Sequence, residues 1–577
     1  MTLRRFLVTV FVCAVALAAA AQERQAPSAG SGGQFQISGT VVNASNDQPL
    51  ANAYVTITPV QGSAARTVMS GADGAFRFDG VRAGKYQLSA ERRGFASQQY
   101  QQHEGQFSTA IAAGPGLDSG NIVFRVVPDA SFSGRIADEQ GDAVRNAHVM
   151  LIREQVGEGR AIKAIVANAA TDDQGRYHFA HLKPGAYYLA VSARPWFTDG
   201  PFMGRTEFGG GGVGSGSVGS GGGLGSSGVG NPTLDVAYPV TFYPDVTDSA
   251  EARTIALRAG DRGSADIILR AVPALHLRIK SNSPRPENEQ GQRQFMGAAP
   301  TQIIFGDIEV PVPTAMRGAG NGVMMMSFAP GHYLLNVFPM VGRFRRGEGP
   351  ETTEDQEPRV SRMREIELVS DTELDPSELP ASVAVSGTIK TSDGHALAKP
   401  AELRLRSQSM RRTLNTRASP NGEFTFPRGV PAGSYEISIG ASDGNYLQSV
   451  TATGAKVSGR TVPIGGSEVR LSVVAASGVG RVEGVAVRGG KPQSGVMILL
   501  VPNDPANHVV LFRRDQSDSD GTFTLQDVVP GRYTLLALEK GWELSWSDPE
   551  VLKPFLQGGE ALVVERKGNL NVRVNVQ

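Results

Sequence analysis

A short pattern returns along this 577-residue chain, and it restricts the possible folds more than any other feature. At residues 73–88 it reads Asp-Gly-x-Phe-x-Phe-x-x-Val-x-Ala-Gly-x-Tyr-x-Leu. It recurs with Gly175, Tyr177, Phe179, Leu182, Gly185, Tyr187 and Leu189. Two more copies place Gly422, Phe424, Phe426, Gly433 and Tyr435, then Gly521, Phe523, Leu525, Gly531 and Tyr533. A worn copy carries Val323, Met325, Phe328, Gly331 and Tyr333. Asp-Gly or Gln-Gly at the start supplies the positive φ of a tight turn. Aromatics two residues apart on a strand point to one face and fill a core. The pattern is therefore a β-hairpin. The tyrosine after its second turn is placed to donate to a backbone carbonyl, as a tyrosine corner does.

The final glycine of the pattern falls at 84, 185, 331, 433 and 531, with gaps of 101, 146, 102 and 98 residues. A chain of this length exceeds one hydrophobic core. The period is too long for propeller blades or helical solenoids, whose repeats run about 20–50 residues. It predicts an all-β chain of about five β-sandwiches in tandem, with the 70 glycines and 34 prolines spent on turns. Each unit opens on a strand around a Ser-Gly or Glu-Gly pair: Ser38-Gly39, Ser133-Gly134, Ser386-Gly387 and Glu483-Gly484. It closes on a strand such as the one carrying Leu570, Val572, Val574 and Val576. The third unit lacks the opening pair and is degenerate.

The expected divisions are a signal peptide at 1–21, a flexible leader at 22–35, and sandwiches at 36–130, 131–272, 273–378, 381–475 and 480–577. Arg4 and Arg5, a short apolar run and Ala19-Ala20-Ala21 make up the signal. The run is well short of the roughly 20 apolar residues that span a bilayer. No transmembrane span is expected once the signal is removed, which places the chain in the periplasm, at the outer membrane or outside the cell. Cys13, the sole cysteine, lies in the signal, so the mature chain would hold no disulfide, thiol nucleophile or cysteine metal site. A Gly/Ser-rich insertion at 204–230 reads as a disordered loop, and 345–364 as a charged one.

The Ser-Gly strand, Pro49-Leu50-Ala51-Asn52-Ala53-Tyr54-Val55, the hairpin Thr171 to Phe179 and the Pro-Gly-x-Tyr-x-Leu turn together resemble the carboxypeptidase regulatory-like domain. That family is similar to transthyretin-like and Cna-B-type sandwiches. The resemblance covers four units well and the third poorly. It implies a secreted multi-repeat protein with no peptidase activity, since this domain is the non-catalytic partner in those enzymes.

Little in the chain points to chemistry. Lys+Arg and Asp+Glu balance at 56 each, which gives no electrostatic case for nucleic acid. No histidine begins a zinc-peptidase motif. His178 and His181, three apart on a strand, face opposite sides. Asp515, Asp518, Asp520 and the later Asp527 resemble part of a calcium loop, although Gln516 stands where a further acid is needed. Solvated turn carboxylates are the simpler account, and no metal or cofactor is expected.

The segments that leave the tyrosine strand carry aromatics: Phe95, then Trp196 and Phe197, then Trp542 and Trp546. If exposed, they would stack on sugar rings; otherwise they seal a sandwich end or the seam to the next unit. The expected function is non-catalytic: a binding or scaffold protein shaped as a rod of serial units, engaging polysaccharide or a cell-envelope protein. A carbohydrate-binding array using the loop tryptophans, or an accessory subunit of a transporter or hydrolase, are the alternatives.

Overall fold

In the computed structural model the described residues are 34–195, 235–280, 293–312, 315–319, 323–342, 361–408, 412–427, 429–440, 444–466 and 468–577. The signal, nearly all of the leader, the 204–230 insertion, most of the 345–364 segment, Trp196 and Phe197 lie outside them. The fold is all-β, in paired sheets around separate apolar cores.

The fourth unit shows the plan. One sheet runs Glu423–Thr425, Val385–Thr391, Val469–Ser477, Asn445–Thr453. The other runs Thr413–Arg417, Glu402–Ser407, Gly433–Ile439, Thr461–Ile464. Val385, Ile389, Leu403, Leu405, Phe424, Phe426, Tyr435, Ile437 and Leu471 are buried between them. Alternation does the sorting. In Ala75–Val81 of the first unit, Phe76, Phe78 and Val81 are buried while the residues between them face out.

The tyrosine of every copy closes its own turn. Tyr86, Tyr187, Tyr333, Tyr435 and Tyr533 each donate the phenol to the carbonyl four residues back, at 2.5–2.9 Å. Burial raises the phenols of Tyr187, Tyr333, Tyr435 and Tyr533 above the usual range, so they remain donors at any working pH.

The opening pair is explained by the first and last strands of each unit, which pair in parallel. A Cβ on Gly39, Gly134, Gly387 or Gly484 would lie 2.1, 1.8, 2.2 or 2.0 Å from a carbonyl oxygen of the closing strand. Only a bare backbone allows that approach. Gly387→Ala should therefore destabilise the protein by about 1–3 kcal/mol through forced strand separation. Thermal unfolding would test it, and an unchanged melting temperature would refute the steric account.

The third unit keeps the architecture despite its sequence. Two four-stranded sheets enclose Leu277, Ile279, Met326, Phe328, Tyr333, Leu335 and Val337, and Leu275–Lys280 pairs in parallel with Thr372–Leu374. Its opening strand puts Ile279 where the other units put the glycine, opposite Leu374. The fifth unit adds a short helix, Pro549–Leu556, whose N-cap Asp548 accepts the Glu550 N–H.

The arrangement is not a rod. Serial stacking would leave the first and fifth units at opposite ends, yet they bond to each other directly. Ser519 N–H donates to the Ala110 carbonyl, Ala110 N–H to Asp518 Oδ1, and Ala112 N–H to Ser519 Oγ. The second unit is the hub. Its outer sheet face buries Met150, Ile152 and Phe242 against Ile304, Ile308 and Val310 of the third. The long hairpin of His148–Gly157 and Arg160–Ala170 reaches across to the fourth and fifth units.

Candidate functional site

Two of the residues that the sequence points to, Trp542 and Trp546, meet on the outer face of the last unit's Arg513–Gln516, Met497–Pro502 and Gly531–Leu538 sheet. Here a second apolar cluster forms from Met497, Leu499, Phe512, Leu536, Leu538 and Leu552. Trp542 and Trp546 belong to it, at 9% and 6% exposure. Trp542 stacks on His103 of the first unit, with centroids 4.8 Å apart and planes 6° apart, and meets Phe107 at 5.0 Å. Its indole N–H reaches the Gly495 carbonyl at 3.3 Å. Trp546 lies against Phe512 at 5.3 Å and under the Arg514 guanidinium at 4.3 Å. The same guanidinium sits 4.8 Å over Phe107 and pairs with Glu104 at 2.8 Å.

These tryptophans are thus mortar in a seam and have no free face for a sugar ring. Phe95 is half-buried under Arg92 in the first unit. Trp196 and Phe197 are outside the described residues, so no geometry attaches to them.

The second unit's hairpin tip locks into the same seam. Ser547 N–H donates to the Gly159 carbonyl at 2.9 Å, and Ala161 N–H to Ser545 Oγ at 3.1 Å. Gly159 has φ +80°, and a Cβ there would come within 2.7 Å of the Trp546 ring.

The calcium-like acids are engaged elsewhere. Asp515 accepts the N–H groups of Gln516 and Thr524 at 2.8 and 2.7 Å. Asp518 holds Lys85 of the first unit at 2.5 Å, and Lys85 also reaches Thr522 Oγ1 at 2.7 Å. Asp520 turns back on Thr522. Asp527 sits at φ +53°, with its carbonyl accepting Arg513. Among the described residues no three His, Cys, Asp or Glu side chains are grouped to hold a metal ion. Burial pushes the Asp515 carboxyl up to about 6, outweighing its two N–H donors, and also raises Asp518 despite Lys85. His181 and His178 are likewise apart: His181 bonds Asp129 while His178 stands exposed on its strand.

Sequence reasoning missed the polar half of this seam. Gln516 donates to the Gln101 carbonyl and to Thr109 Oγ1, both at 2.8 Å, and meets His103 Nδ1 at 2.9 Å. In the sequence Gln516 stands only as a gap in a calcium-like loop; its burial at 2% exposure is what marks its role.

The fold and seams define a class: tandem β-sandwiches of prealbumin type, closed on themselves by side-chain contacts. Residues 36–113 and 131–195, in the first two units, match the family model of the carboxypeptidase regulatory-like domain. No curated protein matches the chain in sequence. Among solved structures, the chain is similar to the Bacillus anthracis TIE protein (9% identity, 95% of this chain and 75% of that chain covered, TM-score 0.16). It is also similar to a streptococcal ancillary pilin (12%, 52% and 98%, TM-score 0.18). A third is BcpA, the major pilin subunit of Bacillus cereus (8%, 77% and 100%, TM-score 0.14). Scores this low support no inference about function. No helix among the described residues is long and apolar enough to cross a membrane.

Proposed function

We propose that this protein is an exported, non-catalytic binding scaffold whose five sandwiches close into one platform. The observation that carries the reading is the use made of its chemistry-bearing side chains. Trp542, Trp546, Arg514, Gln516 and Asp518 are spent on joining units, as in a protein whose product is a shaped surface. The match of residues 36–113 and 131–195 to a regulatory-like domain supports the same reading. Its partner belongs to the cell envelope, with polysaccharide favoured over protein because the paired sheets leave loop ends and seams as concave surfaces.

Two measurements test this. Residues 1–30 fused to a reporter that folds only in an oxidising compartment should yield active reporter. The mature chain should bind members of an envelope-glycan panel saturably and leave them uncleaved. A silent reporter would remove the exported location, and turnover of any panel member would remove the non-catalytic reading.

A further inference from the structure

Where the first, second and fifth sandwiches meet, the structure forms a solvent-open cavity of about 950 Å³. That is at the upper end of small-ligand sites, which span about 300–1,000 Å³. It draws walls from all three units: Tyr100, His103 and Arg125 from the first, Arg153 and Lys183 from the second, and Ser494 and Glu539 from the fifth. The cavity therefore exists only when the chain is closed. We propose that it binds an acidic oligosaccharide; this rests on the scaffold reading above and names its ligand and site.

Charge carries the first half of the argument. Among the described residues, Arg153 and Lys183 have no carboxylate within ion-pair distance. Neither carboxylate on the wall pairs with them: Arg488 holds both oxygens of Glu539 at 3.1 and 2.8 Å, and Asp118 of the first unit accepts the Gly120 N–H. The wall from the second unit is thus a pair of cations with no carboxylate partner among the described residues. Arg153 is also held in place. Its guanidinium lies 5.7 Å over the Tyr187 ring, against Gly185, where a Cβ would come within 2.9 Å of it. A positioned guanidinium binds a carboxylate in a fixed geometry, and the nearby ammonium adds charge.

The opposite wall suits hydroxyl-rich rings. Tyr100 is half-buried and braced edge-on by Phe124 at 5.6 Å and 85°, which sets its ring and phenol at the cavity. His103 is fixed by Trp542 on its face and by Gln516 at Nδ1. Amide and hydroxyl groups of Gln101, Asn121 and Ser494 add donors and acceptors. A run of uronic acids offers both features at once: carboxylates for Arg153 and Lys183, and ring faces and hydroxyls for Tyr100 and the amides.

The experiment is calorimetric titration of the full mature chain with tetragalacturonate, with maltotetraose as the neutral control and a tetraglutamate peptide as the acidic non-sugar. Tetragalacturonate should bind saturably and the two controls should not. The double variant Arg153→Ala/Lys183→Ala should weaken binding about tenfold or more, the loss expected for one or two charge-assisted bonds. Because Arg153 packs on Tyr187, Ser494→Trp provides an independent test: it fills the cavity from an exposed position and should weaken binding comparably. Absence of tetragalacturonate binding, or binding untouched in both variants, would overturn the site. Equal binding of tetraglutamate would overturn its sugar class. If tetragalacturonate fails while other envelope glycans bind, the cavity assignment falls and the scaffold reading stands; if no glycan binds at all, both fall.

Discussion

Replacing Trp542 with alanine should part the first sandwich from the fifth, at a cost of about 3–5 kcal/mol, the range for deleting a buried aromatic. The ring lies between two units. On one side it packs with Met497 and Leu538 of its own sheet's outer cluster; on the other it stacks on His103 and contacts Phe107. Alanine would also leave the Gly495 carbonyl without its indole donor. The inner core of the fifth unit, built from Val482, Ile498, Leu500, Phe523, Leu525 and Leu535, is a separate cluster and should survive. The expected outcome is therefore a folded protein of larger radius of gyration by small-angle scattering, newly cleaved by protease near residues 101–109. Trp542→Phe keeps part of the stack and should shift both readouts much less. A Trp542→Ala protein as compact and resistant as the parent would show that the polar bonds of Asp518, Gln516 and Ser519 hold the seam alone.

The divide between what the sequence shows and what it hides follows contact distance. Each hairpin's turn glycine, paired aromatics and corner tyrosine lie within about sixteen residues, so their spacing records their geometry. Tyr435 and its acceptor Pro431 are four apart. The opening glycine was legible as a recurring residue, but its reason was not, because Gly387 is emptied to admit a carbonyl from Leu471. The seams left even less trace. Lys85 and Asp518 are 433 positions apart, and Gln101 and Gln516 are 415 apart, with no periodicity linking them. Asp518 beside Asp520 accordingly read as a metal-like acid cluster, since its cation comes from another unit. The tryptophans were visible as residues outside the hairpin pattern, but burial depends on what docks on them, and that was supplied by the first and second units. A rod followed naturally from the repeat, because a repeat describes units and says nothing of how the ends meet.

Glu436→Gln should make stability less dependent on pH. Glu436 points off Gly433–Ile439 into the seam between the fourth and fifth units and is 2% exposed. One carboxylate oxygen has no partner among the described residues, although the Val510 N–H donates to the group and Arg406 and Arg460 lie near. Burial outweighs those three influences and pushes the carboxyl up to about 7 from an ordinary 4.5. The folded protein thus keeps a proton that the unfolded chain has released between those values. A raised acid contributes stability that is fully present below about pH 4.5 and lost as pH rises toward 7, here on the order of 3 kcal/mol. Glutamine mimics the protonated acid and does not titrate. Variant and parent should match near pH 4.5, and the variant should be more stable at pH 8. Asp515 and Asp518, also raised by burial, slope in the same direction in both proteins, so the difference between the two unfolding curves isolates Glu436. Denaturant unfolding at pH 5 and pH 8 is the measurement. A gap of the same size at both pH values would mean that Glu436 stays ionised in the seam, with Arg406 and Arg460 as its partners.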